Sequence, residues 1–115
     1  MDVYLKLPGH AGSSVRPGYR HWLEVQSLRF DRPLLEKDAA EFTILKTPDA
    51  LSGVLAGLAQ SGDALRRVCI HRVEGSEALG RLRFDEVRVS GLTIDGAADL
   101  AMECVQFQAA RWQPE

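Results

Sequence analysis

The sequence predicts a mainly β, α+β fold: a small β-barrel or sandwich of two sheets with one α-helix packed on the outside. Three observations predict it. Apolar residues alternate with a period of two through most of the chain, helical periodicity is confined to one segment, and Gly-, Pro- and Ser-rich turn signals separate the runs at short spacing. A length of 115 residues fits a single domain spanning residues 1–115. Hydrophobic residues at 45% and charged residues at 26% place the chain among globular domains rather than disordered or collagenous ones.

Val3, Leu5 and Leu7 alternate with Tyr4 and Lys6, the pattern of a half-buried strand, until Pro8 and Gly9 end it. Gly9 to Arg20 carries three Gly, two Ser and Pro17 and reads as a surface loop. His21 to Phe30 follows as a longer strand. In it Trp22, Leu28 and Phe30 share one parity and Leu23 and Val25 the other, so both faces carry apolar groups, as in a strand covered on both sides or touching a partner. Asp31 to Ala40, with Pro33 and a charged cluster, connects it to a strand over Glu41 to Lys46, where Phe42 and Ile44 face one way. Between Asp49 and Ser61 the period changes. Leu51, Val54, Leu55, Leu58 and Ala59 form one apolar stripe of a helix, with Asp49 or Ser52 as N-cap and Gly62 at the left-handed position beyond its end.

Leu65 to Val73 is the next strand, with Val68 and Ile70 on one face and Cys69, His71 and Val73 on the other, and Glu74-Gly75-Ser76 turns it. Leu79 to Ile94 is apolar at Leu82 and Phe84 and then at Val87 and Val89. That change of parity predicts a bulge or a change of sheet between Phe84 and Val87. A last strand runs from Leu100 to Trp112, giving about six strands and one helix.

Charge and composition exclude several function classes. Lys and Arg number 14 and Asp and Glu 16, interleaved for a net charge of −2, which leaves no phosphate-binding footprint and argues against nucleic acid as a partner. No apolar stretch approaches the ~20 residues of a membrane-spanning helix, so no membrane partner is expected. Met1 to Lys6 lacks the basic and apolar regions of a signal peptide. The expectation is a cytoplasmic protein that leaves the cell only through a dedicated machine. Cys69 and Cys104 lie far apart within apolar runs and read as small core residues rather than a disulfide. With no Asn in the chain, N-glycosylation is excluded.

The search for chemistry predicts no catalytic residues, no metal and no cofactor. His10, His21 and His71 have no metal-ligand spacing. Cys69 and His71 share a strand face, the minimum for a Cys–His nucleophile, but no third orienting group or oxyanion donor accompanies them. A small hydrolase built on this pair is the least favoured reading. Asp85 and Glu86 are adjacent, so on a strand they point to opposite faces and cannot act as an acid/base pair. Glu103, between Met102 and Cys104, is expected to be semi-buried and paired with an Arg. The chain has no nucleophile elbow, Walker loop or dinucleotide fingerprint.

Several segments, in order, resemble one family. Asp2-Val3-Tyr4-Leu5-Lys6-Leu7-Pro8-Gly9-His10-Ala11-Gly12-Ser13 resembles the opening strand and glycine turn of Hcp, the haemolysin-coregulated tube protein of type VI secretion. Trp22-Leu23-Glu24-Val25-Gln26-Ser27-Leu28-Arg29-Phe30 is similar to that family's second strand, and Glu41 to Ser52 to its Phe-Thr, Lys and Asp-x-x-Ser entry into the helix, with Gly62 at the helix end. Val68 to Val73 and Leu82 to Val89 follow in order, so the resemblance covers nearly the whole chain.

The resemblance implies a two-sheet barrel with one helix, assembled into hexameric rings whose lumen carries effector proteins. It implies a structural rather than enzymatic role, with copies of itself, effectors and the sheath, spike and baseplate proteins as partners. On it, Ser27 and Arg29 are expected on the lumen face, and Trp22, Leu23 and Val25 in the barrel core or at a subunit interface. The chain departs from the family at several points, including Gly53 where the family has a Pro in the first helical turn. The long loop after the second strand is reduced to Asp31 to Ala40, which makes this a short-loop variant, and Arg29 stands where the family often has a small Ser between aromatics. The alternative reading is a monomeric β-barrel binding module whose mouth holds a small ligand or protein partner.

Overall fold

The computed structural model describes residues 2–34, 39–96 and 101–115. Leu100, the expected first residue of the last strand, and the middle of the Asp31 to Ala40 connector lie outside the described residues. Among the described residues the chain forms seven strands and one helix: β1 (Asp2–Lys6), β2 (Leu23–Val25), β3 (Ser27–Phe30), β4 (Ala40–Lys46), α1 (Ser52–Ser61), β5 (Leu65–Glu74), β6 (Glu77–Asp95) and β7 (Met102–Pro114).

All seven strands belong to one antiparallel sheet in the order β2-β1-β5-β6-β7-β4-β3. Its two ends are consecutive in sequence. Only Gln26 separates β2, which pairs with β1, from β3, which pairs with β4, and the Gln26 amide donates to the Leu45 carbonyl at 2.7 Å. The sheet therefore curls until its ends meet, forming a nearly closed barrel.

This crossing point corrects the single strand expected over His21 to Phe30. His21 takes a left-handed φ of 67°, so the strand begins only at Leu23. The inward parity then changes at Gln26: Leu23 and Val25 are buried in the core before it, and Leu28 and Phe30 pack against the same core after it. The apolar residues of both parities thus serve one core, where the sequence suggested a strand covered on both faces.

A second change of parity was expected between Phe84 and Val87. Glu86 sits there at φ 52°, a conformation that rotates the following side chains by half a period, so Phe84 and Val87 both point inward. The pairing register with β7 shifts a few residues later, between Val89 and Gly91.

The core is apolar and aromatic. All four phenylalanines meet in it: Phe42 lies 4.7 Å from Phe84 and 4.9 Å from Phe107 between ring centroids, with Phe30 at 6.3 Å from Phe42. Leu51 and Leu55 bring the helix onto this core, with Val54, Leu58 and Ala59 half-buried beside them, as the stripe predicted. Gly62 ends α1 at φ 74° and its amide donates to the Leu58 carbonyl. The start of the helix differs from expectation. The N-cap position is Leu51, without a side-chain cap, while Asp49 Oδ1 accepts from the Leu51 amide and Ser52 Oγ accepts from the Asp49 amide, forming a turn just before the helix.

Candidate functional site

Two regions outside the core carry the polar residues singled out by the sequence. The first is the outward face of β3, β4, β7 and β6. Paired residues across an antiparallel ladder share a face, so the register builds it row by row. Ser27, Leu45, Cys104 and Thr93 form one row, and Arg29, Thr43, Gln106 and Gly91 the next. Glu41, Gln108 and Arg88 form a third. Ser27 and Arg29 are exposed here, and the Arg29 side chain is 69% accessible. Arg29 Nε lies 3.0 Å from Asp31 Oδ1, while the Thr43 hydroxyl donates to Asp31 Oδ2 at 2.7 Å. A Cβ at Gly91 would come within 2.7 Å of Gln106 Oε1, the movable end of that side chain, so Gly91 leaves room for this amide in the row. The result is a mainly polar face of hydroxyls and amides that also carries Arg29, Glu41 and Arg88.

Trp22, Leu23 and Val25 do not join this face. Leu23 and Val25 are buried within the chain's own barrel and present no surface to a second copy, because their inward parity places them against Leu5 and the rest of the core. Trp22 is half-buried on the other side of the sheet.

That side carries the second region. The segment from Gly9 to Trp22 folds over the outer face of β1 and β5 as a strap, held by backbone hydrogen bonds from Ser14 to Trp22 and from His21 to Ser14. A Cβ on Gly12 would lie 2.5 Å from the Trp22 carbonyl oxygen, so only glycine permits this approach. Tyr19 stacks on Tyr4 at 4.7 Å, its hydroxyl is hydrogen-bonded to His71 Nδ1 at 3.0 Å, and Trp22 lies 4.7 Å from the His71 ring. Arg16 pins the strap to Asp2 at 2.6 Å, to the Tyr4 hydroxyl and to the Gly75 carbonyl. Tyr4 and Val73 are buried yet belong to no part of the central core. The strap was legible only as a loop. Its anchors, Tyr4, Tyr19 and Arg16, carry no sequence signal because their partners come from β1 and β5.

The Cys69 and His71 pair lies on this side, and its chemistry is unsuited to nucleophilic catalysis. Burial, with the Glu115 carboxylate adding to it, pushes the Cys69 thiol up to about 11, so it is protonated at neutral pH. Burial also lowers the His71 pKa, opposed by Glu115, whose Oε2 is 4.0 Å from Nε2, and assisted by Arg81. His71 is thus neutral and engaged with Tyr19. Both cysteines are free and half-buried, whereas the sequence suggested core positions. No group of three metal-ligating side chains occurs among the described residues.

Glu103 is buried, more deeply than the semi-buried position expected, and its partner is Lys46 rather than an Arg. Lys46 Nζ reaches Glu103, the Thr47 carbonyl, Ser52 Oγ and Asp49 Oδ1 and is fully inaccessible. The cluster ties the start of α1 to paired residues of β4 and β7.

The curled seven-stranded sheet with one short helix defines a fold class, the small β-barrel of the Hcp proteins. No protein-family model matches the chain, and no curated protein matches it in sequence. In three dimensions it is similar to Hcp2 from Salmonella typhimurium, at 16% identity and a TM-score of 0.85, covering 100% of this chain and 85% of that one. A type VI secretion system effector from Yersinia pestis superposes at a TM-score of 0.78 with 18% identity, covering 96% of this chain and 86% of that one. The tube-terminating cap of the anti-feeding prophage shares the fold at a TM-score of 0.61 and 13% identity, covering 98% of this chain and 87% of that one. At these identities the likeness is one of fold.

Proposed function

We propose that this chain is a structural subunit of a type VI secretion system, an Hcp-like ring protein that forms hexamers, carries effector proteins in the lumen and is exported by that system. The observation that carries the reading is the match of fold over the entire chain at a TM-score of 0.85. A component of this kind works by shape and surface rather than by bond chemistry, and a protonated Cys69 beside a neutral, engaged His71 agrees with that.

The face built on Ser27 and Arg29 is the lumen surface in this reading. A wall of Ser, Thr and Gln with few apolar groups lets cargo pass without adhering, since adhesion needs contiguous apolar area. Arg29 supplies one of the cations of this wall, beside Arg88 and opposite in sign to Glu41. Repeated around a symmetry axis, it favours acidic cargo through charge complementarity. Sheath, spike and baseplate proteins are the partners on the outside of the ring.

Light scattering across a concentration series, with electron microscopy of the same samples, tests the assembly. The expected result is a particle of six chains with an annular projection, and a monomer at every concentration overturns the ring. For the lumen, Arg29→Ser is expected to reduce retention of a small acidic cargo protein co-purified with the ring. Unchanged retention removes Arg29 from the lumen assignment.

A further inference from the structure

We infer that the outward face of β5, β6 and β7 is a docking surface for an acidic polypeptide segment, read by a cleft of arginines around Arg66 and Arg111. The surface goes beyond the ring reading and does not depend on it, because every group that builds it lies within one chain.

The strand register assembles the face. Lys6, Cys69, Arg83 and Gln113 form one row across β1, β5, β6 and β7, and Arg67, Asp85 and Arg111 form the next. Leu65 and Val68 are both buried, and the two residues between them, Arg66 and Arg67, are both exposed. Glu86, exposed at its φ of 52°, follows Asp85. A cleft of about 480 Å³ opens among Pro8, Arg66, Arg67, Asp85, Glu86 and Arg111.

Lys6, Arg66, Arg67, Arg83 and Arg111 thus share this face with only Asp85 and Glu86, in a chain whose 16 acidic residues outnumber its 14 basic ones. The adjoining row, with His71 and Arg81, brings one more carboxylate, Glu115, which is turned towards His71. The carboxylates do not use up the cations. Asp85 is held between Arg67 Nε at 3.5 Å and Arg83 Nη2 at 3.7 Å. Arg66 and Arg111 are exposed and form no ion pair among the described residues. Guanidinium groups present planar forks that match carboxylates, and a local excess of one charge sign steers an oppositely charged partner to the surface.

The same arrangement favours a polypeptide over a nucleic acid. Arg67 and Arg111 are paired through Asp85, two strand spacings or about 10 Å apart. A phosphate backbone carries a charge on every nucleotide and would run past Asp85 and Glu86 as it crosses between the arginines. An acidic segment can instead set carboxylates over the arginines and neutral residues over Asp85 and Glu86. Helix positions i and i+7 are about 10 Å apart and meet that spacing.

The test is fluorescence anisotropy with a labelled Glu-rich helical peptide, beside a labelled single-stranded oligonucleotide of equal net charge. The peptide is expected to bind in a salt-sensitive way. Arg66→Glu and Arg111→Glu are each expected to weaken it about 3- to 30-fold, and Glu86→Gln, which removes a repelling charge, to tighten it about 2- to 5-fold. Arg20→Glu makes the same charge change at an exposed position of the strap and is expected to leave binding within about twofold. Absence of binding at low salt, or an equal loss in Arg20→Glu, overturns the docking surface. An oligonucleotide bound as tightly as the peptide overturns the choice of a polypeptide. Sedimentation of each variant guards the interpretation. A lower mass in Arg66→Glu than in the wild type shows that copies of this chain cover the face, which overturns the proposal. A wild type that binds the peptide but stays monomeric at every concentration overturns the ring and leaves the docking surface in place.

Discussion

Lys46 and Glu103 set the energetic stakes at the scale of single residues. Both are buried, and each offsets the desolvation of the other only while both are present. Lys46→Met leaves the Glu103 carboxylate buried, with the Ser52 hydroxyl as its remaining partner. The expected loss is about 3–5 kcal/mol in urea denaturation. The double variant Lys46→Met, Glu103→Leu recovers most of that loss, because it removes both charges rather than orphaning one. A double variant no more stable than the single one refutes the assignment. Burial of Glu103 was legible in the sequence from its apolar neighbours Met102 and Cys104. Its partner was not, because Lys46 reaches it only through the β4–β7 register.

The strap is the element whose behaviour should follow pH. His71 faces the Tyr19 hydroxyl and the Trp22 ring from the strap, Tyr4 and Lys6 from β1, Cys69 along its own strand, Arg81 from β6 and Glu115 from the C-terminus. Its folded pKa lies below the ordinary value, so the unfolded chain binds the proton more readily. The contribution of this site is therefore complete above about pH 6.5 and declines as pH falls below it. Urea midpoints measured from pH 8 to pH 5 are expected to fall more for the wild type than for His71→Gln. Equal slopes mean that His71 is not the group responsible.

The helix and the crossing strand show how unevenly elements can be read. The α1 stripe and Gly62 were legible because a helix of this length is specified by its own periodicity and by the chirality penalty at φ 74°. The division of His21 to Phe30 at Gln26 was not. Leu23, Val25, Leu28 and Phe30 are all core residues, but their sequence parities disagree, and only a strand that changes partners reconciles them.

At the scale of the whole molecule, one continuous sheet encloses one core, and the β6–β7 ladder runs through it from end to end. No strand can leave without unpairing a neighbour that also contributes side chains to the shared core. Unfolding in urea is accordingly expected to be two-state, with far-ultraviolet circular dichroism and tryptophan fluorescence changing at the same midpoint. Separated transitions would show that the strap side, which holds Trp22, opens as an independent unit.

Local periodicity and segment order specify the mainly β class, the single helix with its apolar stripe and glycine stop, the parity change between Phe84 and Val87, and the resemblance to Hcp. Each of these is written in local periodicity or in the order of short segments, which the chain carries before it folds. The tertiary structure alone decided that Leu23 and Val25 serve the chain's own barrel, that Lys46 neutralises Glu103, that His71 anchors a strap through Tyr19, and that Arg66 and Arg111 line one cleft. These depend on which strands become neighbours and in what register, and that choice is made by closing the sheet around one shared core.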